Sequence, residues 1–504
     1  MNFSNEDYKK LCSECNQILK NFSDNTDILS LPWLHVLNEH PTTLKKYKNL
    51  FRDNFWLKNL IRKEILHLFF YFLINFLLSI IIKPPKSKLE LNKNEDVLFI
   101  SHIFNEDQIF ENEDFYFGDA PNYLIKKGLN VKILLRNHSR KSYSFLQKKI
   151  SHRLDTHKLF FSENLSFFKL LKIFYSLIKE SNKLRRLSKS NRGAFEKKIL
   201  LEASMQMLSV ESFKAILFNQ QLKNLVIKIK PKIIITTLEG HSQEKLVFNL
   251  AKSINPKSLC IGYQHTILFP NQNSIFFHPS DKYVPDIILT SGMINKSVLE
   301  DKIKLKNRPK ILNAGTYRSS NIIKKETNIR LENKKCLILP DGNIEDIENF
   351  SKLLCDLSET NHNFLVRLHP AHSLKKLQQK YKFFLNKNKN ITFSSNKKIE
   401  DDLCDCSWAV YRGTGAIIYA IQNDLKPIYL QAERETLPID PLYKFGNPKE
   451  IISNMQDLEK ILKKDKLLNE DKFLSQLYDL KNFSLNYFEP FKEKEFYNLL
   501  MSHL

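Results

Sequence analysis

Two blocks of this sequence, residues 96–315 and 335–431, alternate short apolar runs with amphipathic ones, and that alternation limits the chain to few architectures. In the first block, "DVLFIS" (96–101), "PNYLIKKG" (121–128) and "VKILLRN" (131–137) spell a strand, a helix closed by Gly128, and a strand. The pattern resumes with "KIIITTLEG" (232–240), a helix over 243–254, "SLCIGYQHT" (258–266), "DIILTSG" (286–292) and "KILNAG" (310–315). The second block runs "KCLILPDG" (335–342), a helix over 344–357, "FLVRLHP" (364–370), "ITFSS" (391–395), "WAVYRGTG" (408–415), a helix "AIIYAIQN" and "KPIYLQ" (426–431). Strands that are apolar almost throughout belong to parallel sheets covered on both faces. The expected fold is therefore α/β, with two doubly wound domains facing each other across a cleft.

The boundaries follow from the breaks in this pattern. Residues 1–95 read as a helical N-terminal region, 96–318 as a first domain with a helical insertion over 140–230, 334–440 as a second domain, and 441–504 as C-terminal helices. The lysine-rich stretch 319–333 reads as a linker. One segment of the N-terminal region stands apart: "ILHLFFYFLINFLLSIII" (65–82), with Arg62 and Lys63 before it and Lys83, Pro84, Pro85 and Lys86 after it. Three readings compete: a helix dipping into one membrane leaflet, a buried core helix, and a membrane span. The first is preferred, because His67, Asn75 and Ser79 interrupt the run and both flanks are basic.

The chain has 504 residues, and 78 Lys and Arg against 55 Asp and Glu give a net charge of +23. No dense basic block or basic-aromatic stripe accompanies that excess, so it reads as lysine spread over solvated faces. A nucleic-acid-binding protein is the rival that charge alone supports; no nucleic acid is expected as a partner. Seven cysteines form no framework, and the Cys12/Cys15 pair has no second pair, so no zinc site is expected and a reducing cytoplasm fits. The first residues carry no apolar run of a signal peptide.

Polar residues recur at the carboxyl ends of the apolar strands, where open parallel sheets bind ligands. They are Glu239 and His241, Gln264 and His265, Asp341, Arg367, His369 and Pro370, and Arg412-Gly413-Thr414-Gly415. The "RGTG" turn opening a helix suits a phosphate, with glycines for close backbone approach and an arginine for charge. It is neither a Walker loop nor a dinucleotide fingerprint. Arg367 and His369 share a strand face and suit a nucleotide phosphate; a strand-end cap is the plain alternative for His369. Glu239, at the end of an apolar strand, is expected to have a raised pKa and to act as general base, with His265 as the rival base. His241, Gln264 and Asp341 read as supporting or acceptor-binding residues, Asp341 alternatively as a turn residue.

"YFGDAPNYLIKKGLNV", "TTLEGHSQEKLVF", "GYQHTILFP" and "PDIILTSG", in that order, resemble the bacterial surface carbohydrate biosynthesis proteins of capsule and O-antigen loci, over most of 95–430. That resemblance implies a GT-B glycosyltransferase with two Rossmann-type domains, no cofactor, and a nucleotide-sugar donor. It also implies a lipid-linked or polysaccharide acceptor and a cytoplasmic enzyme peripheral on the inner membrane. More distantly, Glu239-Gly240, His369-Pro370 and the turn at Thr414 are similar to sialyltransferases that use CMP-sugars, which favours a CMP-linked donor. Leu238 and "GTG" depart from that pattern, where those enzymes carry a second acidic residue and paired Ser/Thr. "GYQHT" followed by "RLHP" is similar to teichoic-acid glycerophosphotransferases, which implies His265 as base and a polyol phosphate from CDP-glycerol as the transferred group.

Overall fold

The structure is a computed structural model. It describes residues 4–22, 66–74, 77, 95–139, 141, 145–146, 149, 157–160, 165–190, 193–305, 309–317, 334–342, 344–355, 362–369, 390–395, 399–432, 439–446 and 449–504. The linker 319–333, Pro370 and most of 75–82 lie outside the described residues.

The first sheet has seven strands: β1 (Val97–Ile103), β2 (Val131–Asn137), β3 (Lys158–Phe160), β4 (Ile233–Thr237), β5 (Leu259–Gln264), β6 (Ile287–Thr290) and β7 (Lys310–Asn313). Their order is β3-β2-β1-β4-β5-β6-β7, and every neighbouring pair is parallel. The second sheet has six: β8 (Lys335–Leu339), β9 (Phe364–Val366), β10 (Ile391–Phe393), β11 (Cys406–Tyr411), β12 (Lys426–Leu430) and β13 (Glu450–Ile452). Its order, β10-β9-β8-β11-β12-β13, is again all parallel. Counted from their own first strands, both sheets run three-two-one-four-five-six, and the first adds a seventh strand at that edge. Chain direction reverses outward from β1/β4 in one sheet and from β8/β11 in the other, and these are the two switch points. The architecture is the GT-B-like pair of doubly wound domains expected from the sequence.

The reason is visible in β4. "IIITT" is five consecutive buried residues, three of them isoleucines whose β-branching suits an extended backbone. Successive side chains point to opposite faces. Ile233 and Ile235 join Phe99, Ile133 and Ile261 in one core, and Ile234 joins Leu98, Leu134 and Ile288 in the other. Each large apolar side chain so buried contributes about 1.5–3 kcal/mol.

Helices close both faces. Within the described residues α1 is Asn5–Phe22, α2 is 66–74, α3 is Ala120–Lys126, α4 is Phe167–Ser188, α5 is Ala194–Gln206, α6 is Val210–Ile229 and α7 is Ser242–Ile254. Helices α6 and α7 cover the face carrying Ile234, and α3 the face carrying Ile235. Residues 140–230, read from the sequence as a helical insertion, contain α4, α5 and α6 and also the edge strand β3. Helix α1 docks Tyr8, Leu11, Cys15 and Ile18 against Leu184, Ile199, Leu200 and Leu246. Burial pushes the Cys12 thiol up to about 12, so this cysteine is an inert apolar filler there.

The C-terminal stretch is less uniform than its helical reading. It contains β13, and after residue 485 the chain crosses back to the first domain. Glu489 donates its N–H to Ser291 O (2.9 Å) and accepts that of Thr316 (2.7 Å), and Lys492 donates to Ala314 O (2.8 Å). Gly315 has φ +75°, and a Cβ there would lie 2.1 Å from Pro490 O, so only glycine lets the crossing strand lie this close. The last helix, Glu493–Met501, puts Phe496 and Leu500 into the core of Phe99 and Ile235. No helix among the described residues is long and apolar enough to cross a membrane.

Candidate active site at the two switch points

Strand β4 ends beside β1, and the chain turns through Leu238-Glu239-Gly240-His241 into α7. The turn is held from within. Glu244, on the first turn of α7, accepts the N–H groups of Glu239 (3.0 Å), Gly240 (2.9 Å) and His241 (2.9 Å) and the Thr237 hydroxyl (3.2 Å). Burial pushes the Glu244 carboxyl up to about 7; the neighbouring His241 pulls against that and the Glu239 charge adds to it. Gly240 takes φ +94°, and a Cβ would sit 2.5 Å from Ile275 N, so the turn must pass here as glycine. The loop it touches is braced in turn. Gln272 Nε2 lies 3.4 Å from Glu239 O, and Tyr8 of α1 donates its hydroxyl to Asn271 O at 2.5 Å.

Glu239 lies between two imidazoles. His265 Nε2, just past β5, is 2.9 Å from its Oε1, and His241 Nε2 is 3.3 Å from its Oε2. The expectation of a raised pKa is corrected here. Burial does push the carboxyl up, but the hydrogen bonds and charge of His241 and His265 outweigh it and hold Glu239 well below its ordinary 4.5. The two histidines differ in access. His265 is 2% exposed, whereas the Glu239 side chain keeps 28%. The His241 carbonyl accepts the Glu244 N–H (3.2 Å) at the start of α7, so His241 also holds the turn. His265 Nδ1 is buried and has no hydrogen-bond partner among the described residues. Glu239 is thus the carboxylate open to solvent, and His265 supports it from behind. Gln264 is fully buried and donates Nε2 to Thr266 O, so it shapes the loop.

An aromatic shelf rises beside this carboxylate. Tyr116 sets its edge on the His265 ring (4.5 Å between centroids), Phe115 meets Tyr116 at 5.0 Å, and Phe104, half exposed, stacks on His138 at 5.3 Å and 17°. His138 Nε2 is 3.0 Å from His102 Nδ1, and His102 Nε2 is 3.4 Å from the Thr237 hydroxyl. Loss of water and the nearby Arg136, His241 and Lys214 bring His138 down to about 4. Burial, Arg136 and His138 likewise hold His102 well below 6.5, so both rings are neutral at neutral pH. The sequence reading missed His102, His138, Thr237 and Glu244. His102 and His138 had a signal: they lie at the ends of β1 and β2, and the strand-end rule used for the later strands reaches them too.

In the second domain, the tips of β8, β9 and β11 converge. A Cβ on Gly342 would lie 3.1 Å from His369 Nδ1, and one on Gly413 would lie 3.3 Å from Asp341. Thus His369, Asp341-Gly342 and the "RGTG" turn form one edge of the β8/β11 switch point, with His369 exposed. Thr414 Oγ1 accepts the Ala416 N–H (3.3 Å) just before the short helix Ala416–Gln422, whose N-cap is Gly415. Arg412 is buried and turned toward β12, donating Nη1 to Leu430 O and Tyr429 Oη, both at 3.3 Å. Arg367 pairs with Asp402, which also accepts from Ser394. The two arginines therefore brace the strand tips, and His369 is the exposed cation-capable group beside them.

The loop after β5 reaches across to the second domain. Ile267 follows His265 by one turn of loop and lies with Phe269 in the core of the second domain. Its Cδ1 is 3.4 Å from where a Gly415 Cβ would be. No group of His, Cys, Asp and Glu among the described residues is arranged to hold a metal ion.

No family model matches the sequence, and no curated protein matches it. Similar solved structures include UDP-GlcNAc 2-epimerase from Neisseria meningitidis bound to UDP-GlcNAc, 11% identical with a TM-score of 0.45, over 81% of this chain and 100% of that one. S. aureus MnaA with UDP is 14% identical with a TM-score of 0.45, over 82% and 97%. Phytolacca americana UGT2 with UDP-2-fluoro-glucose and pterostilbene is 10% identical with a TM-score of 0.43, over 82% and 100%.

Proposed function

We propose that this chain is a glycosyltransferase that moves a sugar from a nucleotide-activated donor onto a lipid-linked or polysaccharide acceptor at the bacterial surface-glycan pathway's cytoplasmic, membrane-facing side. The observation that carries the reading is a carboxylate held by two imidazoles at the tips of one sheet, with the loop that follows His265 setting Ile267 against the Gly415 turn at the tips of the other.

In this reading the nucleotide lies on the second domain, its phosphate beside His369 and the Gly413-Thr414-Gly415 turn. The acceptor hydroxyl sits at Glu239, over the aromatic shelf, whose ring faces suit the C–H face of a sugar. The acceptor oxygen forms its bond to the anomeric carbon as the bond from that carbon to the phosphate oxygen breaks. The hydroxyl proton goes to Glu239, and the nucleotide leaves with the electron pair. Its charge is met by His369 and backbone N–H groups. His265 and His241 hold Glu239 in place, as an orienting partner does in acid–base pairs.

The test is thermal shift with CMP-, UDP-, GDP- and CDP-linked donors, CMP first because the sequence resemblance favours it. One donor is expected to raise Tm in the parent and in Glu239→Gln, and to lose that effect in His369→Ala. If no donor shifts Tm and none is hydrolysed, the reading falls. The unpartnered Nδ1 of His265 supports a second reading, polyol-phosphate transfer, for which CDP-glycerol is the donor that would bind.

A further inference from the structure

We propose that α2 and the outer face of α4 form one docking surface for an anionic phospholipid bilayer, with α2 lying in the interface. The two helices are already packed together by their inner faces. Leu68 of α2 is buried, Phe72 stacks on Phe174 of α4 at 4.7 Å, and Tyr71 meets Phe213 of α6 at 5.8 Å. Apart from His67, what α2 turns outward is nonetheless apolar: Leu66, Phe69, Phe70, Leu73 and Ile74, continued by Leu77. Those positions recur every three or four residues, one face of a helix. Helix α4 does the same with Phe168 (79% exposed), Leu171, Tyr175 (67%) and Ile178. An exposed apolar area of this extent on a folded body marks an interaction surface.

Charge selects the partner. Lys169, Lys172, Lys179, Arg185 and Arg186 of α4 are exposed beside the apolar face. The one acid of that helix, Glu180, is buried, with Lys183 at 4.0 Å. Lys214 of α6 sits over the Tyr71 ring at 5.2 Å, at the other rim. Two copies of this face would set cations against cations. A bilayer with anionic headgroups takes both features at once: aromatic and aliphatic side chains enter the headgroup–acyl boundary, and the long basic side chains reach phosphates. Lys214 also acts on His138, so the docking face adjoins the β1–β2 end of the strand-tip cluster. A membrane-anchored acceptor would reach Glu239 from this side. The docking surface itself does not depend on the transferase reading.

The test uses the full chain, co-sedimented with phosphatidylcholine vesicles with and without phosphatidylglycerol. The parent is expected to pellet with the anionic vesicles and to be released by salt. Two variants probe the helices separately, Phe69→Glu with Phe70→Glu on α2, and Phe168→Glu with Tyr175→Glu on α4. All four side chains are solvent-exposed, so circular dichroism and Tm should match the parent. Each variant should partition on the order of tenfold more weakly. A parent that stays in the supernatant with both vesicles overturns the proposal, as does an α4 variant that binds like the parent. A parent dimer in light scattering that the same substitutions turn into a monomer would make the face a contact between copies, and would overturn it equally.

Discussion

At Glu239, one carboxylate accepts from two imidazoles, and this sets its behaviour with pH. Its folded value lies below the ordinary 4.5. The stability it contributes is therefore fully present above 4.5 and lost as pH falls through the depressed folded value. Urea unfolding should show Glu239→Gln less stable than the parent at pH 7, with the gap closing in acid. Activity gives a second reading of the same group. If Glu239 takes the acceptor's proton, kcat/KM should have its acidic limb well below 4.5, and Glu239→Gln should lose about 10²–10⁴-fold. Activity kept in Glu239→Gln and lost in His265→Ala would give the base role to His265. The sequence made Glu239 and His265 visible, because each ends an apolar strand. It did not reveal the direction of the pKa, which depends on the imidazoles of His241 and His265 converging from a helix start and a neighbouring strand. Nor did it show that Arg367 and Arg412 are occupied by Asp402 and by the Leu430 carbonyl, since those partners lie 35 and 18 residues away.

The elements were legible in proportion to their apolar length. The five- to seven-residue runs of β1, β2, β4, β8 and β12 carry their own signal. The three-residue β3 and β13, "KLF" and "EII", are too short for any period and exist because a sheet edge is there to pair with. Some elements are also tied by charge where no apolar pattern could announce it. Lys426 of β12 places Nζ 2.9 Å from both carboxylate oxygens of Asp465, on the helix Met455–Lys466, and Trp408 of β11 donates Nε1 to the same carboxylate at 3.0 Å. The Lys426 and Asp465 side chains are both at least nine-tenths buried. Asp465→Ala leaves Lys426 with Glu450 (3.3 Å) as its one remaining acid among the described residues and the indole unpaired, and should cost about 3 kcal/mol in urea unfolding, the low end for a broken buried pair. Asp465→Asn, which keeps an acceptor for Trp408, should cost less. Equal losses would mean that the cation, and not the acceptor geometry, sets the value.

For the whole molecule, the decisive feature is that the three-two-one-four-five-six strand order occurs twice and that the loop after β5 meets the Gly415 turn through Ile267. The sequence predicted the two blocks from their alternation. It did not predict the meeting, because Ile267 reads as one more apolar residue in a loop. Ile267→Asp should weaken the junction while leaving each sheet intact. The expected signature is a rise in donor KM and a broader thermal transition, with Lys426 and Asp465 still paired. Unchanged KM and a single sharp transition would show that the junction is held elsewhere, for example by the crossing segment at Gly315.

That crossing segment has a consequence for how the chain is made. Phe496 and Leu500 emerge from the ribosome after everything they are packed on, yet they plug the sheet whose first strand was translated some four hundred residues earlier. The earlier lobe therefore stays open along one side throughout synthesis. It is sealed only once the later lobe has been completed, so neither half matures independently of the other.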